Sequence, residues 1–331
     1  MPLPTSKRSH FTTKILASLI LVIGAVSLIY VNRYSIFDWW RLRNYHTPTQ
    51  VQALINDDTM TPLGATLFKI NYPSIESVKT FTLNCPNNDI EQSLVLGCYH
   101  PVQEGIFLLN VNTPALNGVM QVTAAHEMLH AAYDRLSASQ KTNVDNMLLS
   151  FYKHDVHSTV IINEVNIYKK TEPGEVLNEM NSTFGTEIAA LPADLNKYYS
   201  QYFYDRQKIT SYAASYQGAL LTRQSQVNAD DNLLTRQKAQ IDALENELNA
   251  RLASINSLQT QLSALKSSGN VTEYNAGVPG YNALVSEYNS QAAQLQTQIN
   301  QYNDLVASRN SVALTENQLY QALSGNPQPI K

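Results

Sequence analysis

The sequence predicts an α+β unit, a small sheet packed with one metal-binding helix, set behind a single N-terminal transmembrane helix and followed by an α-helical antiparallel coiled-coil hairpin. Three observations carry that prediction. A charge-free apolar run lies near the N-terminus, the pentapeptide His-Glu-Met-Leu-His spans 126–130, and two heptad patterns fill the last third of the chain.

The apolar run extends from Ile15 to Val31, seventeen residues without a charge, the lower end of the roughly 17–25 that cross a bilayer. Lys7, Arg8 and Lys14 precede it, and Tyr30, Tyr34, Trp39 and Trp40 follow at the depth where amphipathic rings favour the interface. A cleaved leader is the competing reading, with Ala25-Val26-Ser27 as a poor small-residue cleavage site. Because Leu28 to Val31 continue the apolar run past that site, the sequence favours an uncleaved anchor over 15–32 behind a cytoplasmic tail of residues 1–14. Arg33, Arg41 and Arg43 lie beyond the span, so the flanking positive charges nearly balance and do not fix the orientation.

Orientation is drawn instead from Cys85 and Cys98, the chain's two cysteines. Their spacing is not that of a metal knuckle or a C-x-x-C redox centre. A disulfide is the simplest account and requires an oxidising compartment; two buried free thiols are the other. Anchor and disulfide together place the protein in the cell membrane, single-pass, with its main unit extracytoplasmic. The net charge of −4 over 331 residues gives no basic field for nucleic acid. Charged residues make up 15% of the chain, against about 25% in soluble domains, with Gln, Asn, Ser and Tyr in their place.

Residues 41–204 are expected to form the α+β unit. Runs at 66–72, 93–99 and 105–111 are β-branched and aromatic and are bounded by Pro, Gly and Asn, the pattern of short strands. The last leads through 112–118 into the metal-binding helix, so its edge could lie at the lip of a cleft and accept an extended peptide by strand addition.

On a helix, residues four apart share a face, so His126 and His130 can turn imidazole nitrogens toward one ion while Glu127 stands beside the open coordination position. About 0.006 such matches are expected by chance at this composition. Ala124, Ala125, Ala131 and Ala132 flank the motif, strong helix formers that allow close packing. The chemistry implied is that of one zinc ion per chain, which acidifies water and polarises a carbonyl. Glu127 is then the catalytic base that takes the water's proton and passes it to the leaving amine.

The third ligand is not the metzincin one. That pattern would put Gly and His at the positions of Tyr133 and Leu136. Asn178-Glu179-x-x-Ser182 resembles the glutamate-ligand helix of the thermolysin-like gluzincins, and the resemblance implies Glu179 as the ligand. Those enzymes carry an Asp one turn later, where this chain has Thr183. Residues 123–134, the segment Leu96-Gly97-Cys98-Tyr99 and the element from Glu179 to Glu187 also resemble an uncharacterised group of bacterial, membrane-anchored zinc metallopeptidases. The similarity covers about residues 60–205 and implies a zincin-like metallopeptidase domain without naming a substrate. Glu187, His154 and His157 remain open as third ligands. Asp134, one turn after His130, is either the acid that fixes that imidazole's tautomer or an exposed charge beside Arg135. Tyr133, Tyr168 and Tyr198 are candidate oxyanion donors.

Residues 205–323 read as long helices. Ile241, Leu248, Ile255 and Leu262 recur every seven residues, and Tyr281, Tyr288, Leu295 and Tyr302 do the same with Val285, Ala292, Ile299 and Val306 between them. A turn at 277–280, Gly-Val-Pro-Gly, joins the two, and 324–331 is expected to be a disordered tail. The Gln-, Asn- and Ser-rich exterior suits a spacer, or a surface for a cell-wall or protein partner. The sequence thus favours a membrane-anchored zinc metallopeptidase acting on a peptide or protein substrate. Its rivals are an envelope scaffold with a structural zinc site and a zinc amidase acting on cell-wall material.

Overall fold

The computed structural model describes residues 9–86, 96–101 and 105–324. The first helix, α1 (Ser9–Val31), contains an 18-residue stretch, Lys14–Val31, of mean hydropathy 2.3 with none of it buried. It is long and apolar enough to cross a membrane, a test that a leader sequence also meets. The helix takes in residues expected to belong to the N-terminal tail, while residues 1–8 of that tail lie outside the described ones. After Asn32, α2 (Arg33–Leu42) exposes Trp39 and Trp40. It is fastened by Arg41, whose Nε and Nη2 donate to the Ile70 carbonyl at 3.1 and 2.9 Å.

Next come α3 (Thr49–Asp57) and α4 (Pro62–Ile70). The strand expected at 66–72 is therefore a helix. Thr61 accepts a hydrogen bond from the Gly64 N–H at 3.2 Å and Pro62 occupies the first turn, a start signal that outweighs the strand propensity of Phe68-Lys-Ile-Asn-Tyr72. Gly64, Leu67 and Phe68 then fall on one buried face. The sheet is built from β1 (Ser74–Glu76), β2 (Gly97–His100) and β3 (Gly105–Leu109), with α5 (Val78–Asn84) after β1. Their order is β1-β3-β2, parallel between β1 and β3 and antiparallel between β3 and β2. The strand expected at 93–99 falls partly on β2, and its residues 93–95 lie outside the described ones. The strand expected to offer its edge, β3, is instead the central one, with Ile106 and Leu108 fully buried; among the described residues β1 and β2 are the edges.

A 3-10 turn at Pro114–Leu116 leads into α6 (Val119–Asp134), which carries the His-Glu-Met-Leu-His segment and is buried along most of its length. Around it lie α7 (Ala138–His154), begun by a Ser137/Gln140 capping box, α8 (Thr159–Thr171), α9 (Val176–Glu187) and α10 (Ala193–Tyr199). Met128, Leu129, Leu148, Met180, Phe184 and Tyr199 fill the space between these helices with almost no exposure. The chain divides into two compact units near Gln217, so α11 (Arg206–Ser267) begins in the first, where Ile209 and Ala213 are buried, and continues in the second.

In the second unit α11 runs antiparallel to α12 (Val271–Ser324), and Ile241, Leu248, Ile255 and Leu262 are buried at the expected seven-residue spacing. Across the hairpin Gln291 donates to Glu247 at 2.8 Å, Arg251 pairs with Glu287, and Arg309 forks onto Asp231 at 2.8 and 3.0 Å. The turn is at 268–270 rather than 277–280. Gly269 there adopts φ 79°, a left-handed conformation that ends a helix cheaply only for glycine. Gly277 lies inside α12, where a Cβ would stand 2.8 Å from the Leu262 side chain, so its role is packing. The tail expected at 324–331 lies outside the described residues except for Ser324, which ends α12.

Leu148 on α7 is completely buried and carries no group that could hold an ion. Leu148→Ala should lower unfolding stability by about 2–5 kcal/mol in denaturant titrations while leaving metal stoichiometry unchanged.

Candidate metal centre

His126 and His130 stand one turn apart on α6, with ring centroids 4.8 Å apart and planes inclined at 71°. The carboxylate of Glu179, in the first turn of α9, faces both. Its Oε2 lies 3.5 Å from His126 Nε2 and its Oε1 lies 3.5 Å from His130 Nε2. The three donor atoms lie within 4.8 Å of one another. A tetrahedral zinc ion with nitrogen and oxygen ligands at about 2.0–2.2 Å would separate neighbouring donors by roughly 3.3 Å. The arrangement therefore fits a divalent ion with little movement, and two imidazoles with a carboxylate are a donor set zinc accepts.

Among the described residues the other proposed ligands do not join this group. His154 sits at the exposed end of α7 and shares its Nδ1 with the Ser150 carbonyl at 2.9 Å; His157 is exposed just beyond; Glu187 closes α9 outside the cluster.

The tautomer of His130 is set by a residue to which the sequence assigned no role. His130 Nδ1 donates to Asn178 Oδ1 at 3.0 Å, leaving Nε2 free for an ion. Asn178 is itself oriented by Glu175, whose carboxylate accepts from Nδ2 at 3.3 Å. Of the two readings of Asp134, the tautomer-fixing acid is corrected and the exposed charge holds: its Oδ1 lies 3.6 Å from Lys141 Nζ at the end of α6.

Glu127 is buried, with 5% of its surface exposed, and desolvation raises its pKa to about 7 against the opposing charge of His130. Strand β2 crosses its side chain. A Cβ on Gly97 would stand 2.8 Å from Glu127 Oε1 and 2.6 Å from Thr123 Cγ2, so only glycine lets the strand backbone approach this closely.

Of the three tyrosines considered, Tyr168 of α8 is the one beside the cluster. The Tyr133 hydroxyl donates to Asp145 at 2.7 Å, and Tyr198 packs edge-on to Tyr199 and Tyr202. Tyr168 donates to Glu164 Oε1 at 3.1 Å and also hydrogen-bonds Glu179. Burial pushes Glu179 upward, but His130, His126 and Tyr168 outweigh it and hold the carboxyl below its ordinary value. A hydroxyl has one hydrogen for two carboxylates. Burial raises Glu164 to about 7, the Tyr168 hydrogen bond pulls it down, and the Glu179 charge adds to the rise.

No protein-family model, curated protein or solved structure matches the chain.

Asn178→Ala should weaken zinc binding by about 10–100-fold in chelator competition without loss of helix content. Glu164 gives a pH signature in the metal-free chain. Its folded-state pKa is raised, so its contribution to stability is full below about 4.5 and lost as pH rises through about 7. Glu164→Gln removes that loss. Thermal unfolding should show the variant gaining on the wild type between about pH 5 and about pH 8; parallel curves would exclude the rise in the Glu164 pKa.

Proposed function

We propose that the protein is a membrane-anchored, extracytoplasmic zinc metallopeptidase with a zincin-like catalytic unit. The observation that carries this reading is the convergence of His126, His130 and Glu179 on one point, with Glu127 next to it on the same helix. A zinc ion bound there supplies Lewis acidity and an acidified water.

The chain's own groups do the rest. Glu127, poised near neutrality by burial, takes a proton at its carboxylate and returns it to the departing amine nitrogen. Asn178 keeps the hydrogen of His130 on Nδ1, and the single Tyr168 hydroxyl steadies Glu179. Edge strand β2 ends the sheet beside Glu127, so its main chain suits an extended peptide laid along it.

Two further observations support the location. The apolar α1 has the length and composition of a membrane span, and Cys85 and Cys98 form a disulfide, the bond of an oxidising compartment.

Glu127→Gln, purified as the full chain in detergent, should retain one zinc per chain and lose hydrolysis of a peptide library by about 10²-fold or more. Wild-type rates in that variant would remove Glu127 from its role. A loaded wild type that cleaves no peptide would remove the peptidase assignment.

A further inference from the structure

The second group of metal-ligating side chains lies at the sheet edge. Cys85, just past the end of α5, is bonded to Cys98 of β2 with Cα atoms 5.9 Å apart. His100 is two residues along β2, on the same face. Its Nε2 lies 3.2 Å from Cys98 Sγ and donates to the Asn84 carbonyl at 2.8 Å, and Cys98 Sγ stands 3.8 Å from the same carbonyl. Phe107 of β3 packs beside the imidazole at 5.8 Å. The two sulfurs and the nitrogen lie within 4.8 Å of one another, and none of them belongs to the His126–His130–Glu179 group.

A disulfide has no need of an imidazole, yet one is held against it by a hydrogen bond and a ring contact. Two thiolates and an imidazole are a soft donor set that zinc takes in closed structural sites, with sulfur ligands at about 2.3 Å and nitrogen at about 2.0 Å. The Asn84 carbonyl or a water completes four-coordination. We propose that in the reduced chain Cys85, Cys98 and His100 bind a second zinc ion, so that the disulfide and the metal are alternative occupants of one cluster.

The exchange balances. A dithiol reductant delivers two electrons and two protons, turning the disulfide into two thiols as it closes to its own disulfide. Binding of the ion releases both thiol protons, while the His100 hydrogen moves from Nε2 to Nδ1. Two-electron oxidation of the two thiolates by a disulfide oxidant reforms the Cys85–Cys98 bond and expels the ion. Either occupant ties the end of α5 to β2 one residue from Gly97, whose backbone bears on Glu127. The edge strand is thus braced in both redox states.

The test uses the full chain in detergent, with the first centre disabled by His126→Ala and His130→Ala together and, in a parallel preparation, by Glu179→Ala. Cobalt(II) is titrated without oxygen before and after reduction, with helix content followed by circular dichroism. The reduced chain should take one cobalt, with thiolate-to-cobalt charge-transfer absorption, and the oxidised chain none. His100→Ala should weaken this binding at least about tenfold. A folded reduced chain without thiolate absorption, an affinity indifferent to His100, or a reduced chain that unfolds would each overturn the proposal.

Discussion

Burying several carboxyl groups against two imidazoles is the constraint on which the rest of the first unit depends. Glu127, Glu164 and Glu179 share the space between α6, α8 and α9, and the charge that holds Glu179 ionised comes from His130 and His126. Burial alone raises a carboxyl by disfavouring its charge. The protein answers in two ways: Glu164 is raised to about 7, where its charge is readily given up, and Glu179 is placed where two imidazoles compensate it. A divalent ion between these three donors would relieve the same strain more fully, since its charge would act at bonding distance.

That placement explains why α9 buries a polar face. Asn178, Asn181, Ser182, Thr183 and Thr186 all lie inside, where leucines would give more transfer energy. Two of them, Asn178 and Asn181, give direction across to α6 instead. Asn181 Nδ2 donates to the Leu129 carbonyl at 3.3 Å, and the Tyr199 hydroxyl donates to the Asn181 carbonyl at 2.8 Å, fixing α9 against the turn of α6 that carries His130. At the far end of α9, buried Arg206 donates to the Gly185, Ile188 and Ala189 carbonyls at 3.3, 2.6 and 2.7 Å. A cation at a helix C-terminus satisfies acceptors the helix cannot and complements its dipole. The first residue of α11 therefore secures the helix that positions Glu179.

The parts of the site legible in the sequence are those fixed by helical spacing. His126, Glu127 and His130 follow from the pentapeptide, and Glu179 was singled out by its segment's resemblance to a glutamate-ligand helix. What spacing cannot carry is contact between elements. Asn178, Glu164 and Gly97 matter because α9, α8 and β2 pack on α6, and no local pattern around them distinguishes a neighbour of the site from a surface residue. The strand expected at 66–72 failed for a different reason. Its aromatic and β-branched residues fit a strand equally well, and the deciding information lay upstream in Thr61 and Pro62. Likewise Gly277 and Pro279 read as a turn, whereas the break is made by Gly269 in its left-handed conformation.

The second unit shows how a hairpin of this length keeps its register with few charges. Solvent-exposed pairs such as Arg309 with Asp231 are screened by water and contribute little, too little to hold more than fifty residues of α12 against α11. The buried Ile241, Leu248, Ile255 and Leu262 supply the bulk of the association, but a heptad seam is nearly degenerate to a shift of seven residues. The polar positions remove that degeneracy. Gln237, Gln291 and Gln298 each bury a side-chain oxygen that has no partner among the described residues, a cost the seam tolerates. Leu262 meets Gly277, where a Cβ would stand 2.8 Å from its side chain. A slip by one heptad would set Leu262 against a residue with a Cβ and part Arg309 from Asp231 and Gln291 from Glu247. Register is therefore specified by what the wrong alignments lose, and the apolar seam needs only to be strong enough to keep the two helices together.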